Sequence, residues 1–146
     1  IQEASQDYDA FSDPMNFDED GVFTEAFIIT KGNATKAIDK SIRNCLGVLN
    51  DSKMKFSQIV HKFKKCGKSL NRVLSKAVKM RDVFSDDNIK EMNDLNVKTV
   101  DAIKMIGSIS TVDQLKNTLS PFMTQAQKVS GITSSKLGVN NTKKEG

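Results

Sequence analysis

Apolar residues recur at steps of three and four along most of this chain, and polar residues fill the positions between them. That period belongs to amphipathic helices. Val22, Phe23, Ala26, Phe27 and Ile28 predict a short first helix, ended near Gly32. Ala34, Ile38, Ile42, Cys45, Leu46 and Leu49 predict a second, with Asn33 as its N-cap. A longer one starts after Asp51 or Ser52 and runs to about Arg81. Phe56, Ile59, Phe63, Cys66, Leu70, Val73, Leu74 and Ala77 share its apolar face. Gly67 inside it allows a kink. Ser85 then caps a helix that opens with Asp86 and Asp87, turns Ile89, Met92, Leu95, Thr99, Ala102, Ile103 and Ile106 inward, and stops at Gly107-Ser108. Thr111-x-x-Gln114 is a capping box for the last segment, where Leu115, Leu119, Phe122, Ala126 and Val129 face in. Pro121 there implies a kink, or a restart with Ser120 as cap. Gly131 is read as its stop. No strand pattern or repeat occurs. The fold predicted is an all-α bundle of four main helices, with a fifth left open.

Charge divides the chain unevenly. Residues 1–20 hold seven acids and no Lys or Arg. The remainder holds all 22 basic residues against 11 acids, a net +11, and the whole chain carries +4. Pro14 and the scattered anchors Tyr8, Phe11, Met15 and Phe17 fit neither helix nor strand. The predicted organisation is therefore an extended, mobile acidic arm (1–20), a helical bundle (21–131) and a flexible Ser/Thr/Gly/Asn/Lys-rich tail (132–146).

The long helix carries the strongest charge feature. Ten basic residues and no acid lie between Lys53 and Arg81. On a helical wheel, His61, Lys65, Lys68, Arg72, Lys76 and Lys79 fall within about 80° of one another, opposite the apolar stripe; Lys62 extends the same ridge. Like charges four residues apart repel, so a solvated face usually mixes signs. An unmixed cationic ridge fits an anionic partner: a sulfated glycan, an anionic lipid surface or an acidic protein. One Arg, and no Asn or Gln, on that stripe disfavours sequence-specific DNA, and the lack of aromatics disfavours single-strand stacking. In the arm, Asp7, Tyr8, Asp9, Asp18, Glu19 and Asp20 suit a basic surface, either on a second partner or on this ridge itself.

Catalytic signals are missing. A single histidine and two cysteines build neither a multi-histidine metal site nor a four-ligand zinc site. No phosphate-loop, dinucleotide, nucleophile-elbow or zinc-protease motif is present. No carboxylate pair sits at helical spacing on an apolar face, the arrangement that displaced pKa values would need. The expectation is a protein that is not an enzyme and needs no cofactor or metal. No apolar run is long enough for a transmembrane helix.

Compartment is read from three weak signals. A chain that begins at Ile1 reads as a processed or a trimmed form. Asn33, Asn50 and Asn140 open glycosylation sequons. Cys45 and Cys66 form an even pair, and closing the roughly 20 residues between them would stabilise the fold by about 3 kcal/mol. Together these predict an extracellular glycoprotein with a Cys45–Cys66 disulfide. The pairing constrains the layout. Helices meeting at Asn50-Asp51-Ser52 would put Cys45 about 9 Å and Cys66 about 22 Å from the turn, whereas a disulfide tolerates Cα separations of only about 4.4–6.8 Å. Either the turn centres near Met54, with the next helix starting at Phe56 or Ser57, or the helix breaks near Gly67.

These observations converge on a secreted binding protein that engages an anionic macromolecule through Lys62, Lys65, Lys68, Arg72, Lys76 and Lys79. Its acidic arm gates that ridge or contacts a second partner. The alternative is a bundle that carries a small hydrophobic, lipid-like ligand, for which the methionines at 54, 80, 92, 105 and 123 would provide adaptable walls.

Overall fold

The computed structural model describes residues 11–138. Asp7, Tyr8, Asp9 and Asn140 lie outside the described residues. Five α-helices account for most of the rest: α1 (Ala34–Leu49), α2 (Phe56–Ala77), α3 (Asp86–Ile106), the short α4 (Val112–Thr118) and α5 (Ser120–Lys136). Helix α1 packs on α2, α2 on α3, α3 on α5 and α5 back on α1, which closes a four-helix ring; α4 bridges the α3–α5 corner. Phe63 of α2 meets Phe122 of α5 edge-on across the ring, with centroids 5.4 Å apart. With Leu74, Met92 and Leu95, all fully buried, they fill its centre.

The inward faces of these helices are the apolar stripes of the sequence. Ala34, Ile38, Ile42, Cys45 and Leu49 are buried on α1; Ile59, Phe63, Cys66, Leu70, Val73, Leu74 and Ala77 on α2; Ile89, Met92, Leu95, Thr99, Ala102 and Ile106 on α3. Local signals set several ends. The Ser85 hydroxyl accepts from the Asn88 amide at 3.1 Å, and α3 stops before Gly107. The Thr111 hydroxyl accepts from the Gln114 amide at 3.1 Å and starts α4. Pro121 marks a restart, since α5 begins at Ser120 with the proline in its first turn, where a missing N–H costs nothing.

Three expectations change. Helix α2 starts at Phe56, after the later turn near Met54 that the cysteine pair required, ends at Ala77 rather than near Arg81, and passes through Gly67 without a break. A Cβ at Gly67 would stand 2.8 Å from Ile103 Cγ1, so glycine lets α2 and α3 approach closely. Helix α5 does not stop at Gly131. It continues to Lys136, and Gly138, with φ +77°, ends it. The last turn is anchored by Thr133, whose buried hydroxyl donates to Asp39 Oδ1 of α1 at 2.9 Å; Arg43 Nε donates to Oδ2 of the same carboxylate at 2.7 Å. A buried carboxylate is tolerated when it is bonded in this way.

The third change is the segment before α1. No helix forms over residues 22–28. Ala26 and Ile28 are exposed, while Val22, Phe23 and Phe27 are buried. A 3-10 turn (Pro14–Asn16), capped by the Asp13 carboxylate, leads to an antiparallel bridge between Phe17 and Phe23. Gly21, at φ +77°, permits the tight loop between them. Phe23 stacks on Phe27 with centroids 4.2 Å apart, and Phe17 and Phe11 lean on the pair. Lys36 and Lys40 of α1 lie over the Phe11 and Phe17 rings.

Candidate functional site

The cationic face of α2 and the acidic loop after Phe17 meet. Lys65 Nζ lies 2.6 Å from Asp20 Oδ2 and 2.9 Å from Asp18 Oδ2; Lys62 Nζ is 3.9 Å from Asp20 Oδ1. The loop is built to present these carboxylates. Asp18 Oδ1 accepts from the amides of Asp20 (2.8 Å) and Val22 (3.0 Å), and the Gly21 amide donates to the Asp18 carbonyl at 3.0 Å. Two turns further along α2, Arg72 donates from Nη2 to the Thr24 carbonyl at 2.7 Å and from Nη1 to the Phe27 carbonyl at 3.0 Å. The Thr24 carbonyl also accepts from the Phe27 amide at 3.1 Å, so Arg72 adds a second donor there and fixes this irregular segment to α2.

Electrostatics follow the geometry. Partial burial raises the Asp18 carboxyl pKa, but hydrogen bonds from Lys65 and from the Val22 and Asp20 amides outweigh this and hold it below the ordinary value. Donating to the Asp20 and Asp18 carboxylates pushes the Lys65 ammonium pKa up.

The six ridge residues thus divide. Lys62 and Lys65 face carboxylates of the arm, and Arg72 is a clamp on its backbone. Lys68, Lys76 and Lys79 are exposed, with no carboxylate within 4 Å among the described residues. A straight α2 spaces Lys68 and Lys79 about 16 Å apart. Glu19 and His61 are exposed. A small depression of about 220 Å³ lies where arm and helix meet, lined by Asp18, Glu25, Lys65, Lys68 and Arg72 among others.

The cysteine expectation is corrected. Cys45 and Cys66 are free, buried thiols. They interact across α1 and α2, as the later start of α2 permits. Burial pushes the Cys45 thiol pKa up, whereas the hydrogen bond from Cys45 favours the Cys66 thiolate. Buried thiols behave as small apolar side chains, so they serve the helix interface without a covalent link. Asn33 stands at the N-cap of α1, as expected, with its backbone carbonyl accepting from the Ala37 amide at 2.9 Å, but its side chain bonds elsewhere than to the helix amides. Its amide accepts from the Thr30 amide at 2.8 Å and donates to the Ile28 carbonyl at 2.9 Å, which braces the turn into α1. Asn50 is exposed and donates to the Leu46 carbonyl.

Met92 is core, Met54, Met80 and Met123 pack against it, and Met105 is exposed. Among the described residues, no three His, Cys, Asp or Glu side chains group as metal ligands, and no helix is long and apolar enough to cross a membrane. The carbonyls of Thr24 and Phe27, and the pairing of Asp39 with Thr133, have no signature in the sequence. Asp18 through Gly21 does carry a turn signal, which places a loop there but not its partner. Comparison with protein-family models, curated proteins and solved structures finds no match.

Proposed function

We propose that this is a secreted, non-enzymatic binding protein that receives an anionic macromolecule on the outer face of α2, with the acidic loop of its own arm gating that face. The reading is supported chiefly by the contact of two arm carboxylates, Asp18 and Asp20, with Lys65, while Lys68, Lys76 and Lys79 on the same face have no carboxylate within 4 Å among the described residues. The arm supplies anionic groups where an anionic partner would supply its own. Displacing it exposes Lys62 and Lys65 and extends the lysine row along the helix. Arg72 belongs to the latch rather than to the contact surface, because both of its bonds hold backbone.

Heparin retention tests this. Reversing Lys68, Lys76 and Lys79 to Glu should abolish retention with helicity unchanged, since no described contact depends on them. Asp20→Asn, which weakens the latch, should move elution to higher salt. Equal elution of the parent protein and the triple variant would overturn the reading. Retention that falls steeply with added salt is the signature of a phosphate- or sulfate-type contact.

A further inference from the structure

The opposite side of the bundle carries a second feature. Between α3 and the junction of α4 with α5 lies a cleft of about 280 Å³. Leu119 and Phe122, both buried, form its floor. Its walls are Pro121 and two large apolar side chains that α3 leaves in solvent, Val97 (61 % exposed) and Met105 (39 %). The cleft exists because the chain restarts at Ser120. The α4–α5 corner turns away there and leaves the outer face of α3 uncovered beside it.

Asp101 lies on the same face, four residues from both Val97 and Met105, and lines the cleft. Its carboxylate has no cation within 4 Å among the described residues. The other charged residue of the lining, Lys98, is bound to Asp94 at 2.7 Å, so its charge is answered within the helix. The uncompensated charge at this cleft is thus negative on a protein of net charge +4. An apolar floor beside one unpaired carboxylate selects a molecule with an apolar body and a cationic end. An apolar cavity of about 150 Å³ takes one benzene ring, so this space suits a ring with a short aminoalkyl arm.

We infer that the α3/α5 cleft is a binding site for small arylalkyl primary amines, with Asp101 receiving the ammonium and Leu119, Phe122, Val97 and Met105 the ring. The site is independent of the α2 face, and failure of either reading leaves the other intact.

The test is a titration of the whole chain by two-dimensional amide NMR with three probes of similar size: phenethylamine, the neutral 2-phenylethanol and the anionic 3-phenylpropionate. Phenethylamine should shift the amides around Val97, Asp101, Met105 and Leu119, with a Kd on the order of 1 mM, as its size allows. The alcohol should bind roughly tenfold more weakly, and the acid more weakly still. Asp101→Asn, a change at an exposed position, should bring the amine to the level of the alcohol and leave the alcohol unchanged. Three probes of equal affinity, amine binding that survives Asp101→Asn, or shifts confined to other parts of the bundle would each overturn the inference.

Discussion

Residues 11–33 and the last turns of α5 are held to one bundle by different means. The arm's own backbone hydrogen bonds are scattered turns and one bridge rather than a continuous ladder. It borrows donors and acceptors from side chains: Arg72 for the carbonyls of Thr24 and Phe27, Asp18 for two amides, and Lys65 for two carboxylates. Helix α5 satisfies its backbone internally, and its side chains add anchors to neighbouring helices, Thr133 on Asp39 and Gln125 on Glu91. A segment with its own ladder stays folded wherever its apolar face finds a partner. A segment without one depends on particular charged groups, and can be released by changing them. That dependence makes the arm suitable as a gate.

Four measurements sharpen the contrast, beginning with the largest effect. Phe23→Ala removes the ring stacked on Phe27 and in contact with Phe17 and Phe11. It should cost about 3–5 kcal/mol in urea unfolding, with helical circular dichroism per folded molecule unchanged, because the arm adds no α-helix. A loss of helicity in the folded state would mean that the arm is integral to the ring. Thr133→Val keeps the shape but strips one donor from the buried Asp39 carboxylate, so a loss of about 1–3 kcal/mol is expected. Hydrogen exchange should quicken in the last turn of α5 and leave the arm protected.

Two glycines separate close packing from mere tolerance. Gly131→Ala, whose added Cβ would meet nothing within 4 Å, should stabilise by up to about 1 kcal/mol through helix propensity. Gly67→Ala gains the same propensity but pushes on Ile103. Overpacking of about 1–3 kcal/mol should leave it neutral to destabilised by about 2 kcal/mol, and Ile103→Val should relieve it. Thermal midpoints moving in the same direction by the same amount would show that α2 and α3 do not need the close approach.

The mildest test is pH. The Asp18 pKa is depressed in the folded state, so its contribution is complete above its unfolded value of about 3.9 and is lost as pH falls through the folded one. The Lys65 pKa is raised, so its contribution persists below about 10.4 and fades only in stronger alkali. A fluorophore on the arm should therefore report release below about pH 4 and no transition between pH 5 and 9. Release near neutrality would point to a group other than Asp18.

Much of the helical ring was legible. The stripes on α1, α2 and α3, the Ser85 cap, the stop at Gly107 and the restart at Pro121 are decided within one or two turns of chain, and local chemistry marks them. The candidate site was legible as a list of cations on one helix face. Which of them are engaged was not, because Thr24, Phe27, Asp18 and Asp20 reach Lys65 and Arg72 from more than 40 residues away. The short helix expected at Val22–Ile28 had the right apolar spacing, yet Phe17 and Phe23 bridge instead, which puts Val22, Phe23 and Phe27 against the bundle and leaves Ile28 outside.

By itself, then, the sequence determined which residues turn inward on the long helices, where α1 and α3 begin and end, and that one helix bears an unmixed cationic face. These follow from periodicity, capping and charge, all of which act over a few residues. Tertiary structure decided the rest. It laid the acidic loop on Lys65, made Arg72 a backbone clamp, carried α5 past Gly131 and held Gly67 inside an unbroken helix. It left Cys45 and Cys66 as facing thiols and opened a cleft beside Asp101. Each of these depends on a partner distant in sequence, whose contact free energy outweighs a local preference of only about 1 kcal/mol.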